Sequence, residues 1–397
     1  MLSSDFRFLW SASAISNIGD GVTMIAGPLL VASLTGDPAL VAGAAFVQQL
    51  PWLFAPVAGA YVDRIDRRRV VVAANLARAA VMFGLAAAVW SSTATIPLIY
   101  AAFFLLGVGE TVADPAYQAI LPSIVADADL ERANARLVAT FTIGNQLAAK
   151  PLGAYLFVVG AAVPFGADAL TFLVAGGLLA LLRPVPGGPA TARVPTTLRA
   201  DVAEGLRALW HRPALRLLAV CLAVMNLLFC AAFAAFVLYA ERRLGLTPVA
   251  YGVLLSVWAL GGLLGAVVAA RLRARFGAGL LLRAGLLIEI ATHVVLATTR
   301  APWVAAAVLV LFGVHTTVWG VVTMSIRQRL VPDAVRGRVA STYAMLDLGG
   351  AAIGTLIGGA LAGVTSLTAP FWAAAAGMTV LAGLVWRHLT DRTLVAA

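Results

Sequence analysis

Charge is what this chain is short of. Asp, Glu, Lys and Arg make up 12% of its 397 residues, about half of what a soluble globular domain carries. That excludes a free-standing soluble enzyme of this length. Lysine is almost missing: Lys150 is the only one, and arginine supplies every other basic side chain. Cysteine is scarce as well. Cys221 and Cys230 fall in one apolar run, about 13 Å apart along a helix, so they are not expected to bridge. The four histidines stand in separate places, and there is no Cys/His metal spacing, no His-Glu-x-x-His and no Walker loop. We therefore expect no metal, no cofactor, no use of ATP and no enzymatic activity. Met1 to Phe8 lacks a basic n-region and a cleavage site, so the first apolar run should remain as a helix.

What the chain has is apolar length. Hydrophobic residues make up 61% of it, and mean hydropathy is +0.94. Runs of 18 or more apolar residues mark membrane-spanning helices. Twelve are expected, at roughly 9–34, 39–61, 70–91, 97–121, 133–159, 162–182, 214–240, 250–270, 279–298, 302–325, 338–363 and 369–387. The fold class is an all-α membrane protein of twelve helices, with a lipid bilayer as its surroundings. Net charge is +10, but about 23 of the basic residues fall in alternate short loops, the positive-inside pattern. That removes the case for nucleic acid. With an even number of spans it also implies that both termini are cytoplasmic, and the abundance of Ala, Gly, Val, Leu and Arg points to a bacterial protein, so the expected location is the bacterial inner membrane.

The organising stretch is Gly59 to Arg69, with four arginines and two aspartates between two spans. It is too short for a domain and reads as a cytoplasmic hairpin. Gly59 permits close helix approach. Asp63 can cap a helix end or pair with an arginine, so the loop reads as a latch, with a plain topology anchor as the alternative. Residues 183–213 form the longest loop and divide six spans from six. This loop opens with prolines and glycines and continues with Leu198, Val202, Leu206 and Leu209 on one face, the pattern of an interfacial helix. The expected domains are thus a six-helix bundle over 1–182, a linker over 183–213, and a second bundle over 214–397. The two halves repeat at an offset of about 205, Gly59 matching Gly265, as expected of parallel transporter repeats.

Gly59, Asp63, Arg64, Arg67, Arg68 and Arg69 resemble the signature loop between the second and third helices of the major facilitator superfamily. The resemblance implies two pseudo-symmetric bundles around a central cavity, with that loop as a gate. Pro115 to Asn134, Asn17-Ile18-Gly19-Asp20 and Val331 to Val339 resemble the branch of macrolide-efflux proteins and the enterobactin exporter. Exporters of the superfamily often carry Gly-Pro-x-x-Gly-Gly in the fifth span. Here Ala149, Lys150 and Ala154 depart from it and Gly153 survives, with Pro151 positioned to keep part of the kink.

Charged side chains at membrane depth cost roughly 2.5–3.5 kcal/mol each, so they must pair, protonate or face water. Asp20, Glu110, Asp114, Lys150, Glu289 and Asp347 are such residues. Asp20 and Lys150 each lie about 15 Å into their spans and are expected to pair or couple. Glu110 and Asp114 are one turn apart, and two carboxyls so placed are candidates for proton uptake. Asp168 is expected to be structural, Glu289 and His293 a local pair on a peripheral helix, and Asp347 a partner of Arg336 or Arg338. Asn17, Gln48, Asn145 and Gln146 in the first half are candidate cavity residues. Asn226, Phe229, Phe233, Trp258, His315 and Trp319 are candidates in the second, where aromatics suit an apolar or planar substrate. The expected function is a proton-coupled, monomeric exporter of a small amphipathic compound. The alternative is an uncoupled facilitator, importer or lysolipid flippase of the same fold.

Overall fold

A computed structural model describes residues 3–54, 65–183, 206–207, 209–331 and 336–395. Among the described residues there is no β-strand. In hydrocarbon every backbone N–H and C=O must find its partner inside the segment, which a helix alone achieves without a neighbour. The helices are α1 (Ser4–Leu34), α2 (Pro38–Gln49), α3 (Arg67–Trp90), α4 (Ile96–Ile124), α5 (Asp127–Thr140), α6 (Ala149–Val159) and α7 (Val163–Ala180). There follow α8 (Pro213–Phe233), α9 (Phe236–Arg242), α10 (Pro248–Thr298), α11 (Pro302–Leu330), α12 (Arg336–Val364), α13 (Ala369–Val385) and α14 (Asp391–Val395). Proline stands at the first or second position of α4, α7, α8, α11 and α13, where its missing N–H costs nothing.

Nine helices among the described residues are long and apolar enough to cross a membrane. The 51-residue α10 is two helices joined at Gly277, whose φ is +75°. At 1.5 Å per residue an unbroken helix of this length would be about two and a half times the thickness of the bilayer core. Counting α10 twice, and adding α2 and the composite α5–α6, the elements accommodate twelve crossings. The run at 214–240, expected to be unbroken, divides at Ala234 and Ala235 into α8 and α9.

The chain clusters into two compact units. The first holds the described residues of Met1–Gly36, Gly43–Pro195 and Thr247–Ser256; the second holds those of Asp37–Ala42, Thr196–Leu246 and Val257–Ala397. In the first unit α1 packs on α6 and α7, and α3 on α4 and α7. In the second, α8 packs on α12. There Gly354 and Gly358 of α12 lie directly on the carbonyls of Leu227 and Ala231, so these glycines, one helical turn apart, form a helix-packing face.

Two acids start helices in different ways. Asp66 caps α3 locally, accepting from the N–H groups of Arg68 at 3.0 Å and Arg69 at 3.4 Å. The helix after Gly277 is capped from afar: Asp391 Oδ1 accepts from the N–H groups of Ala278 at 2.8 Å and Gly279 at 2.9 Å. Leu389 and Leu394, on either side of Asp391, are buried in the second unit's core. Asp391→Ala is expected to cost about 1 kcal/mol, as for loss of a helix cap. A thermal melt of the purified protein checks this, and an unchanged midpoint would show the cap to be idle.

Candidate functional site

The first unit holds a charge cluster inside its apolar helices. Arg78 comes from the middle of α3, and only 4% of its side chain is exposed. Its Nη2 is 2.6 Å from Asp20 Oδ1 on α1 and 3.3 Å from Glu110 Oε1 on α4. Gly109 leaves room for the arginine stem. The Phe172 ring of α7 lies under the guanidinium, 4.0 Å from its carbon. Gln48 Nε2 and Trp52 Nε1 donate toward the two oxygens of Glu110 at 3.4 and 3.5 Å. The carboxylates are less covered than the arginine: the side chains of Asp20 and Glu110 are 26% and 21% exposed. Two acids on one guanidinium leave one net negative charge, which is one proton's worth of capacity at membrane depth. Asp114, a turn beyond Glu110, lies within electrostatic range of Glu110 and Arg78.

The counter-ion of Asp20 is therefore Arg78, not the expected Lys150. Lys150 is buried on α6, 3% exposed, and its carbonyl lies beneath Gly252. Arg78 was overlooked because arginines crowd the preceding loop; its position eight residues into the run from Val70 was the available signal. Asp168 accepts from Thr23 Oγ1 at 2.6 Å and Thr171 Oγ1 at 3.1 Å, and it lies within electrostatic range of Asp20 and Arg78.

Beside the cluster, residues Phe141–Ala148 form a π-helical stretch between α5 and α6. It ends three residues before Pro151, which supplies no N–H to the carbonyl of Leu147. Ser256 Oγ donates to that carbonyl instead, at 2.9 Å. Local π-helix often marks functional positions, and this one carries two of the candidate polar residues. Asn145 Nδ2 donates to the backbone oxygen of Asn17 at 2.8 Å, and Gln146 Nε2 to Asn145 Oδ1 at 2.7 Å. Asn17 itself donates from Nδ2 to Ser13 O at 2.6 Å.

The second unit contains a cavity of about 740 Å³, the size of a drug-binding pocket. Asn226, Phe229, Trp258, His315 and Trp319 line it. Phe233 does not; it packs among Phe229, Phe236 and Phe371. Two acids join the wall, Glu289 and Asp347. Glu289 is not peripheral: it is 2% exposed, and its Oε2 lies 2.8 Å from His315 Nε2. His293 meets only its backbone oxygen, at 2.8 Å through Nδ1. Asp347 faces the cavity with Arg327, which acts on it electrostatically.

Residues 1–392 match the family described as transmembrane secretion effector. The chain belongs to this family of major facilitator transporters. The multidrug efflux pump Tap of Mycolicibacterium fortuitum is 27% identical over 390 residues, covering 93% of this chain and 92% of Tap. Among solved structures, a point mutant of the nucleoside transporter NupG aligns with a TM-score of 0.79 at 14% identity, covering 97% of this chain and all of NupG. A bacterial homologue of the iron transporter ferroportin, in its inward-facing state, aligns at 0.78 with 17% identity, covering 98% and 99%. Identities this low show the fold alone. The chain is a multi-pass membrane transporter of small molecules and not an enzyme.

In this transporter the loop expected to act as a gate lies only in part within the described residues. Gly59, Asp63 and Arg64 lie outside the described residues, as does most of the linker over 183–213. Arg67 and Arg68 reach back into their own unit. Arg67 Nη1 donates to Ala119 O at 3.4 Å, and Arg68 Nη2 donates to Ala180 O. Both carbonyls lie toward helix C-termini, where cations are favoured.

Proposed function

We propose that this transporter is a proton-coupled exporter of a small amphipathic compound. It works by alternating access as a monomer in the bacterial inner membrane, with both termini cytoplasmic. The arrangement that carries the reading is one guanidinium held between two partly exposed carboxylates, Asp20 and Glu110, on three different helices. With both acids ionised the cluster holds one excess negative charge in a medium that penalises it. A proton on either acid removes that charge and weakens that acid's hold on Arg78. The hydrogen bonds from Gln48 and Trp52 to Glu110 keep that carboxylate oriented in both states. Protonation therefore alters the force between α1, α3 and α4, which is the coupling a proton-driven cycle requires. The efflux activity for which Tap is named favours export as the direction.

Asp20→Asn and Glu110→Gln each keep the shape of the side chain and leave Arg78 one carboxylate. Each is expected to fold and to lose export driven by a pH gradient, by tenfold or more, in reconstituted vesicles. Full gradient-driven export by both variants would reject the proton role and favour an uncoupled carrier. Asp114→Asn, which leaves both ion pairs in place, is the comparison.

A further inference from the structure

The helix after Gly277, residues 278–298, brings Glu289 to the wall of the second unit's cavity. Two charged side chains from other elements of that unit tie it at its ends. At its start Asp391 Oδ1 accepts from the N–H groups of Ala278 and Gly279. The segment that carries Asp391 is seated there by shape. A Cβ at Gly277 would run into the Asp391 carboxylate, and one at Gly279 would lie 2.9 Å from both the Leu389 carbonyl oxygen and Thr390 Cα. Further along, Arg283 Nε donates to the Trp386 carbonyl at 2.9 Å. In the first unit the residue just before α3 is Asp66, which caps its own helix. Here the residue in that place is a glycine, and the acid comes from a segment more than a hundred residues later.

The other end is tied by Arg243, the residue after α9. Its Nε donates to Thr299 O at 3.1 Å, and its Nη2 to Ala297 O at 3.2 Å and Thr298 O at 2.9 Å. Tyr239 Oη donates to Leu296 O at 2.6 Å. Four consecutive carbonyls at the helix end, which have no partner of their own in the helix, are thus gathered by α9 and the residue that follows it. An acid at the N-terminus and a guanidinium at the C-terminus both complement the helix dipole.

Midway between these ties, the helix grips the imidazole of His315 at two points one turn apart. A Cβ at Gly285 would lie 2.6 Å from His315 Cε1 and 2.7 Å from its Nδ1, so the ring rests on bare backbone. Glu289 Oε2 lies 2.8 Å from its Nε2. Both are contacts between particular atoms, and a slide of the helix by one residue's rise, about 1.5 Å, breaks them. Leu282 and Leu286 are buried in the unit's core and turn the correct face inward. Apolar burial is non-directional, however, and tolerates such a slide; hydrogen bonds at the two ends do not.

Resting on the reading of the chain as a carrier of small amphipathic compounds, we propose that Asp391 and Arg243 are positioning residues of this cavity. From opposite ends of one helix they set the depth at which Gly285 and Glu289 meet His315. They thereby fix the shape of that wall and the place of its polar group. Neither residue lines the cavity. Along the helix, Glu289 lies about 15 Å from the groups that Asp391 holds and about 14 Å from those that Arg243 holds. The segment around Asp391 is thus part of how the cavity is built, although it stands well away from it.

The test uses the full-length protein in nanodiscs at one pH, with its four histidines isotopically labelled at the ring nitrogens. The magnetic-resonance signal of His315 is assigned by its loss in His315→Gln. Its displacement in Glu289→Gln, which removes the carboxylate, serves as the scale. Asp391→Ala and Arg243→Gln are each expected to displace the His315 signal by at least half of that amount. Asp391→Asn keeps an acceptor oxygen in place and should leave the signal at its wild-type position. Asp66→Ala removes a cap of the same kind from α3; it should lower the melting point as Asp391→Ala does and leave the His315 signal unmoved. An unmoved signal in Asp391→Ala or in Arg243→Gln, or an equal displacement by Asp66→Ala, would overturn the proposal. The two variants read opposite ends of the helix, so the test decides even if one of them does not fold. Because the signal is read without substrate or gradient, failure here is distinct from failure of proton-driven export, which the Asp20 and Glu110 variants read.

Discussion

Arg78→Gln is expected to lower stability by about 3–5 kcal/mol, the cost of removing one partner from a buried charge arrangement. The substitution leaves Asp20 and Glu110 facing each other's field with no cation between them. The guanidinium is the most enclosed member of the cluster, and its Nη2 serves both acids; Glu110 then keeps the neutral donors Gln48 and Trp52. The reading is a thermal melt of the purified protein, with yield from the membrane as a second measure. The cluster also predicts a rescue. Combining Arg78→Gln with Asp20→Asn and Glu110→Gln removes the charges of all three ion-pairing residues at once, and a neutral arrangement of similar volume is often no less stable than the ionic one. The triple variant should therefore recover stability without recovering pH-gradient-driven export. An Arg78→Gln protein as stable as its parent would sink this account of the cluster. A triple variant that still exports would sink the coupling.

The second large effect is steric. A Cβ at Gly354 or Gly358 would lie closer than 3.0 Å to the backbone oxygens of Leu227 and Ala231. Those atoms belong to the hydrogen-bonded backbone of α8, so no rotamer change can clear them. Gly354→Ala and Gly358→Ala must push α8 and α12 apart, and each is expected to cost at least the 1–3 kcal/mol or so typical of overpacking. Leucine at either place should prevent accumulation of folded protein. Gly349, on the same helix, would place its Cβ against nothing within 4 Å. Gly349→Ala should be neutral or stabilising by up to about 1 kcal/mol, from helix propensity alone. Melting curves of the three alanine variants decide it; similar melting points would mean that close contact between α8 and α12 is not needed.

The glycine stripe was legible because its spacing is local: Gly350, Gly354 and Gly358 recur at one helical turn. Asp20 and Glu110 were legible as acids in apolar runs. So were Asn226, Phe229, Trp258, His315 and Trp319, as polar or aromatic side chains in the spans that line the second unit's cavity. Arg78 was not, because an arginine near a basic loop looks like part of that loop. Glu289 was misplaced for another reason. Its near neighbour in sequence, His293, is one turn away, whereas its actual partner, His315, is 26 residues on and on another helix. Asp391 belongs to the same class: nothing near it in sequence marks it as the cap of a helix more than a hundred residues earlier.

The sequence alone determined the membrane character of the chain, the positions of its apolar helices and the repeat of its halves. Each of these is written in runs and periods of neighbouring residues, and the bilayer rewards them before any helix meets another. The tertiary structure alone decided the partners: Arg78 for Asp20 and Glu110, His315 for Glu289, and Asp391 for the helix after Gly277. A partner depends on the rotation and depth at which two helices pack, and those are set by contacts summed over whole helix faces rather than by the residues beside the charge.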